Sequence, residues 1–401
     1  MTLEFERLTG NIDAMARTVA QRLQNRRSMA DELLAVLAQY AGNWAAVETA
    51  LELAQAQADP KHYRSARPFD HMHPLNAAIS PPPPPSQATL IATDGSQIMP
   101  DRHAAHLYYL INIGGIVYHH GSGRAPEPFT LPEFRYPRDD REAADFTISS
   151  SVVSVKRDLM EIGTLAKKAW QHRGDAHPLL AILDQRLLYW PLGGPDAAPN
   201  EEVRQWLAAM TKLHDSGALL AGYIDRPMTA AVVTLLRSLQ GMGEATFDWK
   251  SLGKRSAGSG LSDRALFGRI LEPGQRSKLF VSVSPPNERF AERDPANEVC
   301  FFYFNPGRGI ARVDVPRWVA EDAEAVTAVH ALLTHQCQIL GDYPYVIARA
   351  DEMAVIGHKD HEELNLMIDL TMQKYGVESR LTAKQSSKGL ARGAKTRHEG
   401  L

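Results

Sequence analysis

Apolar positions along this chain change their spacing several times, and each change predicts a different element. In residues 1–57 one apolar face repeats at helical spacing, at Leu33, Leu37, Tyr40 and Trp44. We interpret this stretch as an N-terminal helical segment of two packed helices, interrupted near Gly42. Residues 58–87 are rich in Pro, His and Ser and include prolines at every position from 81 to 85. Such a composition favours an extended, Pro-rich linker.

From residue 88 the pattern is that of an α/β domain, which we predict to extend to residue 380. β-prone runs occur at 89–93, 106–113 and 115–120, the last two joined at Gly114-Gly115. A helix with one apolar face follows at about 144–172, and 179–183 reads as another strand. Because a strand–helix–strand crossover returns in parallel, strands 89–93 and 179–183 should pair side by side. Residues 381–401 carry scattered Lys and Arg and are predicted to be a basic flexible tail.

Charge and cysteine content narrow the class of protein. Lys+Arg 44 against Asp+Glu 47 gives a formal charge of -3, so affinity for nucleic acid has to come from local basic patches. Cys300 and Cys337 lack metal-ligand spacing, which favours buried thiols in a reducing compartment. No stretch reaches the roughly 18 apolar residues of a membrane span, and the N-terminus lacks a signal core. We expect a cytoplasmic protein without a membrane partner.

Three acids are placed where metal chemistry could use them. Asp94 and Asp184 each follow an apolar strand, and Glu161 lies near the apolar stripe of the intervening helix, with Asp158 as the competing acid one turn earlier. Hard carboxylate oxygens suit Mg²⁺ or Mn²⁺, which activate water in nucleic-acid hydrolysis. Strand Asp, helix Glu and strand Asp is the arrangement of ribonuclease-H-like nucleases. The alternative is a purely structural role, in which these acids cap turns and helices.

Further polar residues could contact a phosphate backbone. The basic candidates are Arg226, Arg276, Lys278 and Arg349, and a second loop places Tyr343 and Asp351 close together in the sequence. Each of these cations could instead be solvated or structurally paired, for example Arg226 with Asp225.

Taken together, several segments resemble the NurA nucleases. The resemblance rests on residues 92–96, 182–184, 263–277, 301–319 and 341–356 in this order, and it covers about residues 90–387. It implies a ribonuclease-H-like mixed sheet flanked by helices, a homodimer, manganese-dependent processing of DNA ends and a HerA-type hexameric ATPase as partner. By the same resemblance Asp94, Glu161 and Asp184 hold the metal, and Tyr343 matches the family tyrosine.

Two positions depart from the family pattern. Ala350-Asp351 stands where many members have Ala-His, which exchanges a neutral donor for a carboxylate that can only ligate or accept. Gln185-Arg186-Leu187 follows Asp184 in place of a small Gly-containing turn, so Arg186 either contacts a phosphate or neutralises the site.

The sequence therefore predicts a Mn²⁺- or Mg²⁺-dependent DNA nuclease with Asp94, Glu161, Asp184 and Asp351 as metal ligands and Tyr343 beside the scissile phosphate. One alternative is a non-catalytic adaptor of the same fold, which docks on the ATPase and guides DNA. A third reading is a different phosphoesterase that acts on RNA or nucleotides.

Overall fold

A computed structural model describes residues 5–101, 106–139, 150–189, 201–254 and 260–377. The chain divides into two compact units. The first unit comprises Met1–Gln87 and Asp184–Tyr345, and the second comprises Ala88–Leu183 and Val346–Leu401. The predicted basic tail, residues 381–401, and the predicted start of the helix at 144 lie outside the described residues.

The strands of the described residues are β1 (Ser65–Pro68), β2 (Ala88–Ile98), β3 (Tyr109–His120), β4 (Glu127–Arg135), β5 (Leu179–Leu183), β6 (Leu219–Ile224), β7 (Phe280–Val283), β8 (Val299–Phe304) and β9 (Ala311–Pro316). The helices are α1 (Thr9–Gln39), α2 (Trp44–Gln57), α3 (Ser150–Gln171), α4 (Glu201–Asp215), α5 (Ala231–Gly241), α6 (Asp263–Phe267), α7 (Pro285–Arg293), α8 (Arg317–Ala320), α9 (Ala323–Leu340), α10 (Tyr345–Ala354) and α11 (His358–Lys374). Single 3₁₀ turns lie at Phe5–Leu8, Trp249–Ser251 and Pro295–Asn297.

The second unit contains a mixed sheet in the order β5-β2-β3-β4. β2 pairs antiparallel with β3, and β3 pairs antiparallel with β4. β5 pairs in parallel with β2, from Thr89 opposite Leu179 to Thr93 opposite Leu183. Helix α3 makes the crossover between β4 and β5 and buries an apolar face that includes Ile162 and Leu165. The predicted α/β class, the mixed sheet with flanking helices and the parallel pairing of β2 with β5 are confirmed.

Two boundaries in this sheet differ from the sequence prediction. β2 continues through Asp94 to Ile98, and β3 runs without a turn through Gly114 and Gly115. A Cβ on Gly114 would lie 2.1 Å from the backbone N of Ala354, and one on Gly115 would lie 2.4 Å from the Phe129 ring. These glycines therefore mark close approaches to a strand interior, which the sequence does not distinguish from a turn.

The first unit contains an antiparallel sheet in the order β1-β7-β8-β9-β6. Helices α1 and α2 pack on it and on α5 through one apolar cluster, which includes Leu33, Val47, Leu236 and Phe280. The predicted pair of N-terminal helices is present, and the side chain of Asn43 accepts a hydrogen bond from Ala46 N (3.2 Å) at the start of α2.

The Pro-rich segment 58–87 is more than a connector. It supplies β1, which pairs with β7, and it buries Leu75 completely. The Lys278 ammonium donates to the carbonyls of Asp70 (2.6 Å) and His73 (2.8 Å) and so holds the segment in place. Composition indicated an extended chain, but only packing shows that this extended chain joins a sheet. The domain boundaries at 57/58, 87/88 and 380/381 stay predictions.

Candidate active site

Asp94 and Gly95 lie in the interior of β2, partly buried. The register places Asp94 opposite Gly114 of β3, and Gly95 N donates to Asp94 Oδ1 at 2.8 Å. Because β2 continues to Ile98, it pairs with β3 both before and after Asp94 along the chain, and this pairing holds Asp94 in place. The carboxylate that the sequence assigned to a strand end is therefore anchored by regular backbone.

Glu161 on α3 is buried, with 5% of its surface exposed. A Cβ on Gly95 would lie 2.5 Å from Glu161 Oε1 and 2.7 Å from Arg157 Cγ. Only a residue without a side chain lets the Glu161 carboxylate lie against the strand at this point. The Thr93 hydroxyl also donates to the Glu161 carbonyl (3.2 Å), so helix and strand are joined directly at the Asp94-Gly95 position.

Arg157 is the cation of this cluster, and it is not among the residues predicted from the sequence. Its Nε lies 3.1 Å from Glu161 Oε1, and its Nη2 donates to Asp158 Oδ1 at 2.8 Å. Burial disfavours the charged guanidinium, but the hydrogen bond to Asp158 and the charges of Glu161, Asp158 and Asp94 outweigh it and raise the pKa of Arg157. The (i, i+4) spacing of Arg157 and Glu161 was the signal available in the sequence.

The two helix acids consequently differ in setting. Asp158 is hydrogen-bonded to Arg157 on the outer side, whereas Glu161 lies deeper, against Gly95. Their side chains are 18% and 7% exposed. Of the two helix acids, Glu161 is therefore the one that lies against the strand that carries Asp94.

The end of α10 docks on the same part of the sheet. Ser96 Oγ and Asn112 Nδ2 both donate to the carbonyl of Ala354, the latter at 2.9 Å. Gly114, the register partner of Asp94, lies directly under this last turn. Asp351 is exposed on α10, one turn before Ala354. Arg349 pairs with Glu352 on the same helix.

In the first unit, Asp184 lies beside two tyrosines. The Tyr343 hydroxyl donates to Asp184 Oδ2 at 2.8 Å, and the Tyr343 ring meets the Tyr223 ring edge-on at 5.5 Å. Burial raises the pKa of Tyr223 and keeps it neutral, and the carboxylates of Asp225 and Asp184 act in the same direction. Asp184 directly follows Leu183, the parallel partner of Thr93, and Thr93 precedes Asp94. The hydrogen bond shows that Asp184 and Tyr343, two residues predicted for the site, are in direct contact.

The basic candidates fall into two groups. Arg226 is exposed, with its Nε 3.4 Å from Asp225 Oδ2, and Arg349 is partly exposed beside Glu352. Arg276 and Lys278 are 9% and 1% exposed, and burial lowers their pKa values to about 10 and about 8. Both donate to backbone carbonyls of their own unit. This burial argues against the sequence-based assignment of Arg276 and Lys278 as phosphate contacts.

Comparison with known proteins identifies the family. Residues 88–356 match the family model of the NurA domain, which is more than half of the 401 residues. The chain belongs to the NurA family. Every candidate residue described above lies inside this NurA domain. A search of curated proteins returned no significant match.

Three solved structures resemble the NurA chain. The NurA nuclease from Sulfolobus solfataricus aligns at 13% identity and a TM-score of 0.45, over 87% of this chain and 98% of its own. The catalytic domain of human endonuclease V aligns at 11% identity and a TM-score of 0.31, over 81% and 97%. LC9-RNase H1, a type 1 RNase H with the type 2 active-site motif, aligns at 11% identity and a TM-score of 0.21, over 53% and 83%.

The donor set of the NurA domain suits a hard divalent cation. Within the described residues, no three or more His, Cys, Asp or Glu side chains already form a group that could hold a metal. Two carboxylates nevertheless reach Gly95: its N–H donates to Asp94 Oδ1, and Glu161 Oε1 lies where a Cβ would clash. Oxygen donors of this kind prefer Mg²⁺ or Mn²⁺.

Over the same described ranges, no helix is both long enough and apolar enough to span a membrane.

Proposed function

We propose that this NurA-family chain is a divalent-metal-dependent DNA nuclease that processes DNA ends, with Mn²⁺ or Mg²⁺ as cofactor. The observation that carries the proposal is the close approach of the buried Glu161 carboxylate to Gly95, because the N–H of the same glycine donates to Asp94 Oδ1 and both carboxylates therefore reach one residue. Burying such a group costs free energy unless a cation compensates it. Arg157 supplies one positive charge there, for the three acids Asp94, Asp158 and Glu161.

Each residue has a definite part in the proposed reaction. Asp94, Glu161, Asp184 and Asp351 hold the metal, which when bound activates a water and stabilises the leaving oxygen. Arg157 forms an ion pair with the Glu161 carboxylate and limits the repulsion among the acids. Tyr343 fixes the Asp184 carboxylate by its hydrogen bond and positions the scissile phosphate.

DNA is held mainly through its backbone. Arg226 and Arg349 remain as the phosphate contacts, and such contacts give affinity without base readout. We further propose that the chain works in the cytoplasm as a homodimer, together with a HerA-type hexameric ATPase in DNA end resection or repair. The family assignment supports a DNA substrate and an ATPase partner in general.

A second function has one observation in its favour. By the resemblance to the NurA nucleases, Asp351 stands where many members have His. It is exposed on α10, whose last turn docks against Gly114, the register partner of Asp94. If a carboxylate there weakens turnover, the chain is an adaptor that docks on the ATPase and guides DNA. The two functions differ in whether the protein cleaves DNA at all.

End-labelled DNA incubated with Mn²⁺, Mg²⁺ or chelator, with and without the ATPase, tests the proposal. Asp94→Ala and Asp184→Ala should abolish cleavage and largely spare DNA binding, since the metal acts on the transition state and phosphate contacts supply affinity. Glu161→Gln should be inactive, while Asp158→Asn on the same helix should cleave. Normal cleavage by Asp94→Ala contradicts the metal site, and DNA binding without cleavage by the wild-type protein in every metal supports the adaptor.

The contribution of Asp351 requires its own pair of variants. As a hard-oxygen ligand it favours Mg²⁺ or Mn²⁺ over nitrogen-preferring Co²⁺ or Zn²⁺. Asp351→Ala should impair cleavage, and Asp351→His should retain it with a changed metal profile. Unchanged cleavage across the metal series in both variants would remove Asp351 from the site.

A further inference from the structure

A second concave site lies in the first unit, in a cavity of about 630 Å³. Its walls come from the start of β1, the residues after Asp184, the loop between β6 and α5, and the strand β9. Cavities of roughly 300–1,000 Å³ are typical for small ligands the size of a nucleotide. The position is informative because Arg186, which lines the cavity, is two residues beyond Asp184.

The charged lining of this cavity is mostly basic. It comprises three arginines, Arg64, Arg186 and Arg312, and one acid, Asp314. Arg312 and Asp314 are both buried and form an ion pair with Nε and Oδ1 2.7 Å apart, so they neutralise each other. Arg64 Nη1 donates to the carbonyls of Pro60 and Tyr63, which fixes this side chain at the rim without removing its charge. The arginines that line the cavity outnumber its acids, which favours an anionic ligand.

The cavity also contains a buried hydroxyl in need of a partner. Ser284 precedes α7 and is 4% exposed, and the described residues offer its Oγ no hydrogen bond. An N-cap hydroxyl normally accepts from the N–H groups of the first turn. Here Pro285 and Pro286 have no N–H, and Asn287 N donates to the Ser284 carbonyl (3.0 Å). A buried polar group of this kind costs free energy unless a ligand satisfies it.

From these observations we propose that the cavity binds the phosphate of a terminal nucleotide. Arg186 and Arg64 contact the phosphate oxygens, and the Ser284 hydroxyl donates to the same ligand. The inference rests on the proposed function, since the nucleotide is then the end of the DNA that is cleaved near Asp184. It also gives a role to the Gln185-Arg186-Leu187 turn, in which this chain departs from its family.

Thermal unfolding in chelator with thymidine monophosphate or thymidine tests binding, because the two probes differ only in the phosphate. A ligand that binds the native state raises the unfolding temperature. The monophosphate should stabilise the protein and thymidine should not. Arg186→Ala should weaken the monophosphate affinity about tenfold or more, as expected for a lost charge-assisted hydrogen bond. Arg293→Ala removes an exposed arginine of the same unit outside the cavity and should bind normally.

Ser284→Ala separates a ligand contact from a structural role. It removes a hydroxyl without a partner, so the unfolding temperature of the free protein should stay the same or rise, while the monophosphate affinity falls. No stabilisation by the monophosphate, equal stabilisation by thymidine, or wild-type affinity in both Arg186→Ala and Ser284→Ala would overturn the proposal.

Oligonucleotides with a 5′-phosphate, a 3′-phosphate or only hydroxyl ends identify the source of the phosphate. In chelator, one phosphorylated end should bind more tightly than the hydroxyl end, and Arg186→Ala should abolish the difference. Cleavage in Mn²⁺ without any end preference overturns the cavity proposal and leaves the nuclease intact. A phosphate preference without cleavage in any metal supports the cavity proposal and contradicts the nuclease.

Discussion

Gly95 offers the sharpest test of how the candidate site is built. In Gly95→Ala the new Cβ lies 2.5 Å from Glu161 Oε1 and 2.7 Å from Arg157 Cγ. These separations are about 1 Å shorter than an ordinary contact between nonbonded atoms. Both clashing groups belong to flexible side chains, so we expect the Glu161 carboxylate to move and the sheet to survive. Overpacking of this kind costs about 1–3 kcal/mol.

The effect on cleavage should be much larger than the effect on folding. A displacement of about 1 Å in a catalytic group can reduce a rate about 100-fold. We therefore expect Gly95→Ala to lose about 100-fold or more in Mn²⁺-dependent cleavage, to bind DNA normally in chelator, and to lose about 1–3 kcal/mol in the free energy of unfolding, measured by denaturant titration.

Gly163→Ala is the matched control. Gly163 lies on the same helix as Glu161 and is exposed, and apart from its chain neighbours and the nearby helix backbone no described atom lies within 4 Å of an added Cβ. Alanine is preferred in a helix, so this variant should gain about 0.5–1 kcal/mol and cleave normally. Wild-type cleavage and stability in Gly95→Ala would refute the placement of Glu161 against the strand.

Three further variants probe the units one at a time. Gly114→Ala sets a Cβ 2.1 Å from the backbone of Ala354, which cannot give way, so unfolding titrations should show a loss of about 3 kcal/mol or more. Asp263→Ala removes the acceptor for Val232 N, Val233 N and the Tyr303 hydroxyl and should cost about 3 kcal/mol or more, whereas a loss below about 1 kcal/mol would contradict this bonding. Burial lowers the pKa of His330 to about 4 from 6.5, so the unfolded state binds the proton first and stability should fall by up to about 3 kcal/mol between pH 6.5 and 4. Unfolding titrations of His330→Gln across this pH range should lack that component.

Several features could be predicted from the sequence because they depend on neighbours along the chain. The apolar runs before Asp94 and Asp184 are buried strands, and the intervening helix forces them to pair in parallel. The helical spacing of residues 33–44 predicted two helices, which the structure contains, and the order of the motifs predicted the NurA family, which the family model confirms. Periodicity reports which face of an element is buried, so these results needed no tertiary information.

Only tertiary structure decided which charges meet and why certain glycines are present. In the sequence, Lys278 and Arg276 look like solvent-exposed cations, yet both are buried. Lys278 donates to the Asp70 carbonyl of the packed Pro-rich segment, and Arg276 donates to the carbonyl of the next residue, Ser277. Gly114 and Gly115 look like a turn, yet they lie inside a strand where a helix end and a ring approach. Gly95 is a third such position, because the ion pair of Arg157 with Glu161 lies where its side chain would be. A side chain's burial and partners depend on residues far away in the chain, and local sequence does not contain that information.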